Sequence, residues 1–175
     1  MRDARTAFAG SVEAQAAQLS LQTRLARALR MLEPQVLGLY WPVQGEFNAV
    51  TLWLDDEVLR QVPASLPFAR RAPPEMHYRA WNGAAPDAID ECGIASASGK
   101  AVEPDVVLVP CVGFTRSGFR LGYGGGFFDR WLAAHPGVTA VGVAWAHALI
   151  ADGDLAVQPH DHPLTFVVTE EGVVG

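Results

Sequence analysis

The segment Arg120-Leu-Gly-Tyr-Gly-Gly-Gly-Phe-Phe-Asp129-Arg130 holds most of the chemistry in this chain. Gly122, Gly124, Gly125 and Gly126 fall within five positions, closed by two aromatics and an Asp-Arg pair. Glycine accepts positive φ and lets backbone approach a ligand closely. Successive amides in such a loop form a concavity suited to anions, phosphate above all. A helix starting at the aromatics aims its N-terminal dipole at the same place. Arg120 and Arg130 add positive charge, and Asp129 can hold a divalent cation beside a phosphate. The spacing is neither the dinucleotide-binding pattern nor the Gly-Lys-Ser/Thr phosphate loop, and Ser98-Gly-Lys100 lacks the upstream glycine and strand. Taken alone, the cluster also fits a tight strand-to-helix connection with no ligand.

Other reactive groups are sparse. His160-Asp161-His162 invites zinc, but such sites use three or four ligands and no third partner is evident, so a polar turn between Pro159 and Pro163 competes. His77, His135 and His147 show no convergent spacing, and there is no Gly-x-Ser-x-Gly nucleophile elbow. Glu46 follows a Pro42-Val-Gln-Gly45 turn, where a glutamate is ordinarily solvated. Cys92 and Cys111 form no Cys-x-x-Cys site, which points to a reduced, cytoplasmic protein without a disulfide framework. The formal charge of −6 disfavours wholesale binding to nucleic acid or an anionic membrane. A polyanionic ligand therefore needs a local basic pocket, built from arginine because Lys100 is the only lysine.

The elements that must position these groups can be read from periodicity. With 175 residues the chain fits one domain over 1–175. No apolar run approaches the roughly 20 residues that span a bilayer, and Met1-Arg-Asp-Ala-Arg5 lacks the apolar stretch of a secretory signal. Good helix formers fill Ala4 to Leu32, with Leu21, Leu25, Ala28 and Leu32 at helical spacing and Pro34 as the stop. Val36–Trp41 reads as a buried strand, and Asn48 as the cap of a helix over Ala49–Leu59. Strands are expected at Ser65–Ala69 and Met76–Trp81, a long connection from Asn82 to Glu103, and a buried strand at Asp105–Pro110. The glycine loop, a helix to Ala134, and strands Val138–Ala144 and Leu164–Thr169 follow. Continuous apolar strands alternating with helices imply an α/β fold of three layers, a mostly parallel sheet with helices on both faces. Ligands in such folds sit beyond the carboxyl ends of strands, where the glycine loop lies.

The frame Pro110-Cys-Val-Gly-Phe114 … Gly118-Phe-Arg-Leu-Gly-Tyr-Gly-Gly-Gly-Phe-Phe-Asp-Arg130 resembles the signature of the 5-formyltetrahydrofolate cyclo-ligase family, also called methenyltetrahydrofolate synthetases. Tyr40-Trp-Pro-Val-Gln-Gly-Glu46, Gly142-Val-Ala144 and His160-Asp-His-Pro-Leu164 … Val167-Val-Thr-Glu170 extend the resemblance from about Val36 to Glu170. It implies an ATP- and Mg²⁺-dependent ring closure of 5-formyltetrahydrofolate to 5,10-methenyltetrahydrofolate, with ADP and phosphate released. Arg120, Leu121, Gly122, Tyr123, Gly124, Gly125, Gly126, Phe127 and Phe128 are then expected at ATP, with Arg120 and Tyr123 as catalytic groups. Trp41, Glu46, Met76, Tyr78 and the stretch Tyr123 to Phe127 are expected at the folate, with Glu46 on the pterin's polar edge. Asp129 and Asp161 are expected to ligate Mg²⁺. A monomer is expected, with no nucleic acid or membrane partner.

The chain departs from the family pattern in places. The usual Lys-x-x-x-Arg stretch on the first helix is missing, leaving Arg2 and Arg5, and the acidic residue after Phe114 becomes Thr115. The middle segment Gly93-Ile-Ala-Ser-Ala97 lacks a glutamate and a proline, and Phe127-Phe128 replace two tyrosines. An active cyclo-ligase and a catalytically weak folate- or nucleotide-binding member of the same family both remain open.

Overall fold

Hydrophobic periodicity divides the chain much as expected, and the differences trace to single residues. A computed structural model describes all residues 1–175. Two helices, α1 (Arg2–Ala9) and α2 (Glu13–Leu32), stand where one was expected over Ala4–Leu32. Gly10 interrupts the run, and the Ser11 hydroxyl then accepts the Ala14 amide at 3.3 Å, restarting the helix. Glu33 in the left-handed conformation ends α2. The strand β1 is short (Leu37–Gly38), although the Leu39 amide still donates to the Ser65 carbonyl. Asn48 caps α3 (Ala49–Asp55) as expected, accepting the Thr51 amide. This helix stops before Leu59 because the Asp56 carboxylate takes the amides of Val58 and Leu59 and starts a separate 3-10 turn over Leu59–Gln61.

A long antiparallel hairpin follows, β2 (Ala64–Arg71) with β3 (Pro74–Trp81). The expected long connection from Asn82 to Glu103 carries β4 (Ala88–Ile89), β5 (Ala95–Ser96) and β6 (Ala101–Val102). Its organiser is the buried Asp90, whose carboxylate accepts the amides of Cys92 and Ile94 and, from β2, of Ala69. Hydrophobic periodicity gives no sign of such a knot of local bonds. The remaining elements are β7 (Val106–Pro110), a small hairpin of β8 (Gly113–Phe114) and β9 (Arg120–Leu121), α4 (Phe127–Ala134), β10 (Thr139–Val143), β11 (Phe166–Val168) and β12 (Val173–Val174).

Eight strands form the main sheet in the order β12-β11-β10-β7-β1-β2-β3-β6. The run from β11 to β2 is parallel, and β12, β3 and β6 join antiparallel at the edges. Alternate residues of β7 face opposite layers. Val106 and Leu108 join a core with Leu21, Leu25 and Leu29 of α2 and Val50 and Trp53 of α3, while Val107 and Val109 join one with Trp131 and Leu132 of α4. The result is the expected three-layer, mostly parallel α/β architecture. No helix is long and apolar enough to cross a membrane.

Chain direction matters most between β1 and β7. From β1 the chain proceeds to β2 and β3 on one side, and from β7 it proceeds to β10 and β11 on the other. Connections thus diverge at this pair, opening a crevice beyond the carboxyl ends of the two strands. Packing beneath the crevice is tight: a Cβ on Gly38 would lie 2.8 Å from both the Tyr78 ring and the Val107 side chain. Gly38→Ala is expected to destabilise the fold by about 1–3 kcal/mol through overpacking, read as a lowered denaturant midpoint with an unchanged slope.

Candidate functional site

Beyond β7 the chain runs through Cys111 and the β8–β9 hairpin into the glycine loop and α4. Gly124 (φ +84°) and Gly126 (φ +59°) adopt backbone conformations that side chains disfavour, which lets the loop fold back onto the start of α4. Side-chain positions at Gly122 and Gly124 face open space. No side chain caps α4, so its first-turn amides remain available to an anion.

Arg120 is nearly buried, its side chain 5% exposed, and it spends its guanidinium within the site. Its Nη2 lies 2.9 Å from Asp129 Oδ1, and its Nη1 donates to the His162 carbonyl at 3.1 Å. The same Asp129 Oδ1 accepts the His162 amide at 3.3 Å, whereas Oδ2 has no protein donor. Arg130 turns back to donate to the Gly125 carbonyl at 2.6 Å and sits 5.1 Å from the centre of the Phe127 ring, bracing the loop. A hollow of about 380 Å³ opens here, lined by Gly124, Gly125, Gly126, Asp129, Arg130, Ala133, His160 and His162.

Beyond β1, the turn Val43–Glu46 brings the second expected group to the same place. Glu46 Oε1 accepts the Tyr123 hydroxyl at 2.7 Å, and Oε2 accepts the Val43 amide at 2.9 Å. The third partner comes from α1. Arg5 donates through Nη2 to the Tyr123 hydroxyl and through Nε to the Gln44 carbonyl at 3.0 Å, and its Nη1 lies 3.5 Å from Glu46 Oε1. Both side chains of the pair are only 3% exposed. Burial pushes the Glu46 carboxyl above its ordinary value, while the Val43 amide, the Tyr123 hydroxyl and the Arg5 charge pull it back. Burial also drives the Tyr123 phenol up to about 12, so it stays a neutral donor. Trp145, just past β10, fixes the turn by donating its indole N–H to the Gly45 carbonyl at 3.1 Å.

The structure therefore brings Glu46, Tyr123 and the glycine loop together with Arg120 and Asp129 at the β1/β7 crevice. It does not bring every expected residue there. Tyr78 is fully buried against Trp131, ring centres 5.0 Å apart, and Met76 packs against the same core, so both belong to the layer beneath α4. Trp41 is part-buried and packs edge-to-face on Trp81 in the other core. The Asp161 carboxylate accepts the Gln158 amide at 2.7 Å and lies 3.8 Å from His160, holding its own turn. Nowhere do three histidine, cysteine or carboxylate side chains converge as a metal cage, and both cysteines are free. Mg²⁺, however, typically uses one or two carboxylates and takes its remaining oxygens from phosphate and water. The unpartnered Oδ2 of Asp129 at the rim of the hollow fits that donor set.

Arg5 is the residue that sequence reasoning undervalued. On a helix it reads as one more solvated arginine, and its partners lie 39 and 118 positions away. In the sequence it was named only jointly with Arg2, where the usual Lys-x-x-x-Arg stretch is missing.

Comparison with known proteins identifies the family and the fold. The family model of the 5-formyltetrahydrofolate cyclo-ligase family matches residues 1–170. A 5-formyltetrahydrofolate cyclo-ligase of Mycolicibacterium smegmatis is 41% identical over 73 residues, which is 41% of this chain and 37% of that protein. The one of Escherichia coli K12 is 41% identical over 69 residues, 39% of this chain and 38% of that protein. The matched stretch thus spans less than two-fifths of these curated relatives. A 5,10-methenyltetrahydrofolate synthetase from Mycoplasma pneumoniae shares the fold with a TM-score of 0.75 at 22% identity, over 97% of this chain and 93% of that one. The NMR structure of the Aquifex aeolicus 5,10-methenyltetrahydrofolate synthetase gives a TM-score of 0.76 at 26% identity, over 99% and 89%. With the model match running almost end to end and the fold shared over nearly the whole chain, this protein belongs to the 5-formyltetrahydrofolate cyclo-ligase family.

Proposed function

We propose that the protein closes the ring of 5-formyltetrahydrofolate to 5,10-methenyltetrahydrofolate, coupled to conversion of ATP to ADP and phosphate. The observation that carries this reading is the Tyr123 hydroxyl on Glu46, which joins an anion-binding glycine loop to a carboxylate acceptor at one crevice. The chemistry needs both halves. A formyl oxygen is a poor leaving group, so the γ-phosphoryl is transferred to it first. N10 of the substrate then attacks the formyl carbon, the C–O bond breaks, phosphate leaves with that oxygen, and N10 loses its proton. Such a sequence calls for positioning and charge stabilisation more than for a protein nucleophile.

In this reading the loop amides from Gly122 to Phe127 receive the phosphates, and the Phe127 and Phe128 rings form a wall. Arg120 sets the orientation of Asp129. Tyr123 aligns the folate against the loop with a neutral hydroxyl. Glu46 accepts N–H donors of the pterin, which requires Tyr123 to yield part of its bond as ligand enters. Asp129 would hold Mg²⁺ here, and the ion would supply positive charge to neutralise the transferring phosphoryl group. Asp161 acts by holding the 158–162 turn beside the hollow.

A second reading, folate or nucleotide binding with weak turnover, is favoured by one observation. Arg5 of α1 is already engaged by Glu46, Tyr123 and Gln44. Incubation with 5-formyltetrahydrofolate, ATP and Mg²⁺, followed by near-ultraviolet absorbance of the methenyl product, separates the two. A rise above the no-enzyme control supports the ligase, and intact folate binding without a rise supports the weak binder.

Two further outcomes follow. Asp129→Ala is expected to lower Mg²⁺-dependent turnover by on the order of a hundredfold or more with the fold intact, as loss of a preorganised electrostatic group does; near-normal turnover would refute the metal role. Folate affinity is expected to fall as pH drops through the Glu46 titration. That loss begins above the ordinary carboxyl value of 4.5, because burial raises the folded pKa. Binding titrations across pH should show the drop in the native protein and a weaker, flat profile in Glu46→Gln.

A further inference from the structure

We propose that Arg5 is a positioning residue of the folate site, aligning Glu46 and Tyr123 from α1, so that the pocket is complete only when α1 is docked. This rests on the reading of Glu46 as the pterin acceptor. Docking is specified by close contact. A Cβ on Gly45 would lie 3.1 Å from the Arg5 carbonyl oxygen and the Thr6 Cα and 3.2 Å from the Ala9 Cβ, so the helix backbone sits directly on the turn that presents Glu46. Gly45 has φ +78°, which keeps the turn open to that approach. Arg5 Nε and the Thr6 hydroxyl both donate to the Gln44 carbonyl, at 3.0 and 3.3 Å. Phe8 anchors the end of the helix on Trp145, ring centres 5.2 Å apart.

With α1 seated, the guanidinium bridges the two loops of the crevice. Nη2 donates to Tyr123 of the glycine loop, and Nη1 lies 3.5 Å from Glu46 of the turn. Nη1 is buried and makes no hydrogen bond at all. A buried, unpartnered donor is costly, and its presence beside the one carboxylate of the pocket is explained if its task is to face that charge. The groups facing Glu46 from the packed elements are Arg5 of α1, Tyr123 of the loop, Tyr40 past the end of β1 and Cys111 past β7. Burial keeps Tyr40 protonated and pushes the Cys111 thiol up to about 12, so both are neutral at working pH. Arg5 is the cation that acts on Glu46. Arginine suits the role because its planar fork reaches two partners at once, which a lysine ammonium on the same helix does less well.

The decisive measurement titrates the Glu46 carboxyl by ¹³C NMR in the ligand-free protein, in native, Arg5→Met and Arg5→Lys forms, alongside 5-formyltetrahydrofolate binding by calorimetry across pH. Since the Arg5 charge lowers the Glu46 pKa, its removal must raise it. Arg5→Met is expected to move the Glu46 midpoint upward, to carry the acid limb of the binding profile with it, and to weaken folate binding at neutral pH by about tenfold, the worth of one charge-assisted contact. Arg5→Lys, with the charge kept and the fork lost, is expected to hold the midpoint near native while binding folate more weakly. An unmoved Glu46 midpoint in Arg5→Met overturns the proposal, as does native folate affinity in either variant. Should Arg5→Met fail to fold, the affinity of Arg5→Lys decides. If the native protein binds no folate, the functional reading falls, yet the ligand-free titration still tells whether Arg5 sets the state of Glu46.

Discussion

Parallel pairing of β1 with β7, with connections leaving in opposite directions, is the constraint on which the site depends. The two strands share a register, Leu37 opposite Val106 and Gly38 opposite Val107, so the segments that follow them emerge side by side. One becomes the turn that carries Glu46 and the other the approach to the glycine loop. Asp105 strengthens the pairing at its other end by accepting the amides of Gln35 and Val36, which sets where both strands begin. A slip in this register would part the loops before any side chain was changed.

Charge is deployed with economy on this frame. In an acidic protein of net charge −6, the cations near the crevice are engaged inside the fold. Arg120 and Arg5 each sit on a carboxylate in nearly dry surroundings, and breaking one partner of such a pair strands the other. Arg130 stabilises the loop through a carbonyl instead of offering its charge outward. Cationic side chains near the crevice thus act largely as scaffolding, while the start of α4 carries no side-chain cap.

The fold class, the order of the long elements and the glycine loop were legible because each is written in local terms: continuous apolar strands, a capping Asn48, and glycines spaced for tight backbone. The break at Gly10 and Ser11 was harder, since alanine-rich sequence on both sides masked a single cap. The β4–β6 region was illegible to hydrophobic patterning, because Asp90 organises it through bonds to backbone amides. Arg120 and Asp129 could be named from type and spacing, whereas Glu46 and Tyr123 could be named only through the family resemblance. Tyr78 and Met76 could not be placed correctly, because alternation along β3 gives a side chain's face but not the helix that covers it. Arg5 could be named beside Arg2 but not weighed, since its importance comes from contacts distant in sequence. Thr115, where the resemblance calls for an acid, also gains meaning only in three dimensions: it contacts Ser117, whose hydroxyl donates to Asp152 at 2.7 Å, so a carboxylate reaches this loop from another part of the chain.

Trp145 stands at the joint between α1 and the Glu46 turn, touching Phe8 on one side and Phe47 on the other while its N–H holds the Gly45 carbonyl. Of the five tryptophans it alone meets both. An indole so placed is a built-in optical gauge. Any lifting of the helix would strip one aromatic neighbour from it and admit water, shifting its emission to the red. The state of the joint can therefore be followed in the protein's own light, without a label or a ligand.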